Sequence, residues 1–216
     1  MSSTATTATE LAFAVEGAEP VEHAAVPTLR FAVRVTAPEG RSIRSVLLDT
    51  QIQIAARRRR YGAGAEERLF ELFGAPEGWG ATLRTLPWTR ITTVVPAFTD
   101  STLVDVLVPC SYDLHVAASR YFDALDGGDV PLEFLFSGTV FAAGAGGMLQ
   151  ATRISWESDA EYAFPVRVWQ EAMERYFAGT AWLRLRKDVF DRAAAYKARG
   201  AHATWDDALD ALLPEG

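Results

Sequence analysis

The residues best equipped for chemistry stand close together at Cys110, Asp113 and His115. A cysteine at a strand end, with an imidazole nearby to take its proton, is the arrangement a thiol nucleophile needs. The surrounding pattern argues the other way. Val104, Val106, Val108 and Cys110 alternate with Leu103, Asp105 and Leu107, so the thiol is in phase with a valine face and reads as a small buried hydrophobe. An enzyme or small-ligand binder built on Cys110, Asp113 and His115 is therefore the alternative function, not the first. As the only cysteine, Cys110 also excludes an intramolecular disulfide and a Cys-based zinc site from this chain.

Other chemistry-bearing groups have simpler readings. His23, His115 and His202 are far apart in sequence and follow no H-x-x-x-H or H-x-E spacing. Asp105, Asp113, Asp123, Asp126 and Asp129 could do acid–base work or hold calcium, but Asp126-Gly127-Gly128-Asp129 is turn chemistry and fits no EF-hand loop. There is no G-x-S-x-G elbow, no phosphate loop and no G-x-G-x-x-G opening a helix. Gly144 to Gly147 reads as a strand reversal. No catalytic or metal-ligating residue is assigned, and no cofactor is expected.

Two further groups suit contact more than catalysis. Arg57, Arg58, Arg59 and Arg60 form the only run of four like charges. They could grip an anion or nucleic acid, or lie solvated and paired with Glu66, Glu67 and Glu71, which is the simpler reading. A formal net charge of −7 opposes nucleic-acid binding. Trp79, Trp88, Trp182 and Trp205 sit beside glycine, proline or helix starts, where exposed aromatics serve as protein-contact residues. The candidate partner-binding set is thus Arg57, Arg58, Arg59, Arg60, Trp79, Trp205, Leu209 and Leu213.

The elements that must position these residues are strands first and helices last. Residues 1–10 make a flexible tail. Leu11, Phe13 and Val15 begin an edge strand ended by Gly17 and Pro20. Leu29, Phe31, Val33 and Val35 alternate up to Pro38-Glu39-Gly40, and residues 43–56 return as the second arm of a hairpin. A short helix carries Leu69, Phe70, Leu72 and Phe73 to Gly74. The stretch from Trp88 to Phe141 is the centre of the fold. It holds a strand ending at Pro96, the strand of Val104 to Cys110, a helix over 113–125 and a strand with Phe134, Phe136 and Val140 inward. Residues 149–156 give the last clear strand. Val166, Trp169, Met173, Tyr176 and Phe177 make one helical stripe after Pro165. A second helix spans Trp182 to Arg199, and Thr204-Trp205-Asp206-Asp207 opens a third with a capping box.

This order predicts an α+β fold: an antiparallel β-sandwich-like core over residues 11–164, with a short inserted helix, and a C-terminal helical cap over 165–216 packed upon it. Hydrophobic residues at 49% are ample for a core across 216 residues. No apolar run spans a membrane, and the N-terminus lacks the features of a secretory signal. A cytoplasmic protein is expected.

Several local sequences are distinctive as a set: Pro27-Thr28-Leu29-Arg30-Phe31, Gln51-Ile52-Gln53-Ile54, Leu72-Phe73-Gly74, and Val108 to Leu114. Leu135-Phe136-Ser137-Gly138-Thr139-Val140-Phe141 and Trp182-Leu183-Arg184-Leu185 belong with them. In these the chain resembles the domain-of-unknown-function family 6084 over nearly its whole length. The resemblance implies an actinobacterial origin and genes neighbouring those of nickel–iron hydrogenases. It implies an accessory role beside such an enzyme, with a hydrogenase component as protein partner, and it carries no catalytic residues. The first function expected is a non-catalytic interaction or accessory protein.

Overall fold

Period-two alternation of apolar side chains turns most of the chain into strands. The computed structural model describes residues 10–110, 116–144, 147–180, 183 and 185–213. In chain order come β1 (Ala12–Pro20), β2 (Thr28–Thr36), β3 (Ser42–Ile54), α1 (Ala63–Arg68), α2 (Phe70–Phe73) and α3 (Trp79–Thr82). These are followed by β4 (Leu86–Val95), β5 (Phe98–Thr99), β6 (Ser101–Pro109), α4 (Val116–Asp123), β7 (Asp129–Ala143), β8 (Leu149–Arg153) and β9 (Asp159–Pro165). Three helices close the chain: α5 (Val166–Phe177), α6 (Lys187–Arg199) and α7 (Trp205–Asp210).

The strands form two antiparallel sheets, β1-β2-β6 and β4-β3-β7-β8, with β5 also on β3 and β9 also on β7. The fold is α+β with a sandwich-like core, as the strand and helix order predicts. The hairpin expected at Pro38-Glu39-Gly40 does not form. β2 pairs with β1 and β6, whereas β3 pairs with β4, β5 and β7. Each strand has one fully buried face: Leu29, Phe31, Val33 and Val35 on β2, Val46, Leu48, Ile52 and Ile54 on β3. Facing sheets let both sets share one core. Pro38 to Gly40 therefore carries the chain from one sheet to the other, with Gly40 at φ 72°.

Aromatic rings lock the two layers together. Phe31 of β2 meets Phe134 of β7 edge-on at 5.3 Å and Trp88 of β4 at 6.0 Å. Phe13 of β1 stacks on Phe136 of β7 at 4.2 Å. α4 and α5 close one side through Phe122 and Trp169, whose rings stack at 4.8 Å, both fully buried. Truncating a ring such as Phe31, buried on all sides, would cost about 3–5 kcal/mol.

Four local expectations change. Gly17 does not end β1; it follows a register shift after Val15, and the strand runs on to Pro20. A bulge at an edge strand is a common device for bending it. The short helix is split at Leu69 into α1 and α2, with Gly74 at φ 74° ending the second. β8 stops at Arg153, and β9 is an added strand on β7. The helix expected from Trp182 starts at Lys187, after an extended Arg186. Asp188 in its first turn and the Lys187–Asp191 pair favour that start.

The chain divides into two units, residues 1–179 and 180–216. The first holds both sheets and α1 to α5; the second holds α6 and α7. No described helix is long and apolar enough to cross a membrane.

Candidate functional site

Cys110 follows directly on β6, in phase with its inner face. It is 1% exposed, and its Sγ lies 3.4 Å from the Val108 carbonyl. Burial pushes the thiol up to about 12, so it is protonated at neutral pH. This corrects the nucleophile alternative: a desolvated thiol on a valine face carries no thiolate to attack with. His115 and Asp113 lie outside the described residues.

The arginine run is pinned to the core in a way its sequence neighbours did not indicate. Arg58 donates to both oxygens of Glu161, at 2.6 and 2.8 Å, and reaches Glu133 at 3.5 Å. That pair holds the Glu161 carboxyl below its ordinary range. Arg57 donates to the carbonyls of Leu83 (3.2 Å) and Gly80 (3.4 Å), and Arg59 to those of Asp129 (2.7 Å) and Gly127. The expected pairing with Glu66, Glu67 and Glu71 is therefore replaced. Glu71 instead accepts from Arg120 at 2.6 Å. Planar guanidinium forks satisfy carbonyls and carboxylates presented by β7, β9 and the loops beside them. Arg60 alone in the run has neither a hydrogen-bond nor an ion-pair partner among the described residues, and it is exposed. Beside it Tyr61 shares a hydrogen bond of 2.7 Å with the buried Tyr121, and desolvation raises both phenols above their usual value.

Trp79 is not an exposed contact residue. It is 9% exposed, edge-on to Tyr61 at 5.3 Å and Phe73 at 6.0 Å, and its Nε1 donates to the Gly74 carbonyl at 2.9 Å. α3 packs against α2 and the Tyr61 ring through this indole, which is buried at the edge of the core. Trp88 is likewise internal, among Phe31, Phe122, Phe164 and Trp169. Trp182 lies outside the described residues.

The aspartates are dispersed. Asp105 pairs with Arg30 at 3.2 Å, Asp126 with Arg68 at 2.6 Å, and Asp123 accepts from Trp169 Nε1 at 2.9 Å. The ring of His202 stacks on Tyr196 at 5.3 Å, and His23 sits in a turn at φ 57°. Among the described residues no group of three or more His, Cys, Asp and Glu is gathered to hold a metal ion.

The second unit is different in kind. The capping box forms as its sequence predicts: Thr204 Oγ1 accepts from Asp207 N–H at 3.0 Å, and Asp207 accepts from Thr204 N–H at 2.9 Å. Lys197 fastens the preceding loop by donating to the carbonyls of His202 (2.8 Å) and Ala203 (2.9 Å). Phe190 meets Trp205 at 5.6 Å. Yet only Ala208 of α7 is buried, and α6 buries nothing. Trp205 is 39% exposed, Leu209 40% and Leu213 65%, so these three candidates share an open apolar stripe. Trp156, expected at the end of the strand over 149–156, instead stands 87% exposed in the turn between β8 and β9. Its neighbours Ser155, Glu157 and Ser158 are ordinary turn residues, and only its solvent exposure distinguishes it.

The model of a family of unknown function, DUF6084, matches residues 8–216. The chain belongs to that family. No curated protein matches it. Membership of DUF6084 brings no assigned site residues, so the geometry above is what the functional reading rests on.

Proposed function

We propose that the protein is a non-catalytic interaction protein of the cytoplasm, an accessory factor that contacts another protein through its C-terminal helices. One observation carries the reading. α7 is rigidly capped, yet its apolar side chains Trp205, Leu209 and Leu213 are left open to solvent. Large exposed apolar and aromatic side chains on a well-formed helix are what protein contacts are built from. A nickel–iron hydrogenase component is the partner that the family resemblance suggests. Arg60, the free member of the arginine run, is a candidate secondary contact.

Affinity purification from the native host, followed by mass spectrometry, tests this with Leu209→Asp and Leu213→Asp beside the wild type. Enrichment of hydrogenase components with the wild type and their loss with the variants is the expected result. Recovery of the wild-type protein alone at all expression levels would overturn it.

A further inference from the structure

Two complementary surfaces lie on α6 and α7. On α6, Val189, Arg192, Ala193, Ala195 and Arg199 line a shallow, open groove of about 350 Å³. At about 100° per residue, Val189 and Ala193 share one side of it, and Arg192 and Arg199 stand next to them. These two arginines are two helical turns apart, roughly 10 Å, and neither has an ion-pair partner among the described residues. On α7 the complement is a ridge. The Leu213 N–H donates to the Leu209 carbonyl at 2.9 Å, so the helical course continues for another turn and both leucines fall on one side. At about 100° per residue, that side is bordered by Asp206 and Asp210, one turn apart. Asp207 is used by the capping box, but Asp206 and Asp210 have no partner among the described residues. Over Arg186 to Arg199, five basic residues stand against two acidic ones; over Trp205 to Asp210 three aspartates stand against no basic residue.

We propose that the occupant of this face is a second copy of the chain: the Leu209–Leu213 ridge of one copy seats in the α6 groove of the other. The inference rests on the reading that α7 is a contact surface, and it names what covers it. Under a two-fold axis both ridges engage both grooves, making a closed, isologous contact. Leu209 and Leu213 cover Val189 and Ala193, while Asp206 and Asp210 meet Arg192 and Arg199. Charges at the border of an apolar contact set its register and its partner more than its strength. A 13-residue and a 6-residue helix with one buried residue between them have little core of their own. Pairing two copies supplies one.

The full-length protein tests this by sedimentation velocity. The wild type is expected to dimerise and Leu209→Asp to be monomeric. Two charge-reversed proteins give the decisive comparison: Asp206→Arg with Asp210→Arg, and Arg192→Asp with Arg199→Asp. Each alone faces like charges and is expected to dimerise at least roughly tenfold more weakly. Mixed, every ridge again meets a groove of opposite sign, and a heterodimer forms. Circular dichroism confirms that each variant keeps its helices. A monomeric wild type at all concentrations overturns the inference whatever the variants do. So does a mixture of helical, charge-reversed chains that stays monomeric, or a dimer indifferent to Leu209→Asp. A monomeric wild type whose co-purifying proteins vanish with Leu209→Asp ends the self-association inference and leaves the partner reading standing. A wild-type dimer dissociated by Leu209→Asp, with no co-purifying protein, does the reverse.

Discussion

Gly138 is the position where one added methyl group should do most damage. It lies in β7 opposite Leu48 of β3, between the pairs Asp49–Ser137 and Leu47–Thr139. Its φ is 140°, a conformation glycine adopts freely and alanine does not. A Cβ built there would stand 2.0 Å from the Leu47 carbonyl oxygen, 3.1 Å from its carbon and 3.4 Å from the Leu48 Cα. All three atoms are main chain in the longest ladder of the molecule, so no side chain can swing aside. Backbone strain at such a φ costs on the order of 1–3 kcal/mol. Overpacking against atoms that cannot retreat adds about 1–3 kcal/mol. Gly138→Ala should therefore destabilise the fold by roughly 3–5 kcal/mol, a large share of the 5–15 kcal/mol typical of a domain. In a chain of this size that lowers Tm by about 10 °C.

Thermal unfolding followed by circular dichroism measures the shift, with Gly80→Ala as control. Gly80 lies in α3 with no atom within 4 Å of its would-be Cβ, so alanine there should be neutral or stabilising by about 0.5 kcal/mol. A Gly138→Ala protein whose Tm matches that of the wild type would refute the reasoning, since β3 and β7 would then have to part without cost.

Three further outcomes follow from other parts of the molecule. Cys110, its thiol pushed up by burial to about 12, should react with a disulfide reagent at mildly alkaline pH about a hundredfold or more slowly than in the unfolded chain; equal rates would place it at the surface. Its raised value also means that the stability it contributes is intact below the ordinary thiol range and is lost as pH climbs towards 12. Asp49 is held below its ordinary value by the Arg90 hydrogen bond, with Thr92 assisting against desolvation. Stability from that pair is present above the ordinary carboxylate range and is lost as pH falls through the lowered value. Arg90→Ala should thus separate from the wild type in Tm at neutral pH and converge with it in acid; a constant gap would show that the pair is not the source. Thr204→Ala removes the capping box and should cost α7 about 1 kcal/mol, read as reduced helical signal and weaker self-association in the same sedimentation experiment; an unchanged protein in both would count against α7 as the contact element.

Faces were legible in the sequence, and partners were not. The valine phase of Cys110, the stripe of α5 and the capping box at Thr204 are local patterns. The structure realises each because the periods of strand and helix act over neighbouring residues. Strand pairing is set at longer range. Alternation told which side of β2 and β3 turns inward, but two inward faces can be satisfied side by side in one sheet or face to face in two. The arginine run shows the same limit. Arg58 finds Glu161, and Arg59 finds the carbonyls of Gly127 and Asp129, far along the chain, instead of the glutamates close by. Standing between glycines, Trp79 reads as exposed; the rings of Tyr61 and Phe73 that bury it come from elements the local sequence does not point to. Trp156 shows no signal in sequence, because a tryptophan in a turn is remarked only once nothing is found to cover it.

The free strand edges bear on which surface the protein offers to others. Among the described residues, β1, β6, β4 and the β8–β9 side are each paired on one flank only. Unpaired edges invite chain-to-chain pairing unless something blunts them. β1 is bulged after Val15. β4 carries Pro87 near its start, and β6 ends at Pro109, residues that cannot donate to a ladder. Asp105, at the middle of β6, would meet its own copy in an antiparallel self-pairing centred there, and like charges directly opposite are unfavourable. β8 and β9 are separated by the turn of Ser155 to Ser158, which breaks that side into two short segments. Every edge thus carries a feature that hinders strand addition. α6 and α7 carry the contrary arrangement: among the described residues, Leu209 and Leu213 are uncovered and Arg192, Arg199, Asp206 and Asp210 have no ion-pair partner, and the proposed self-association draws on both.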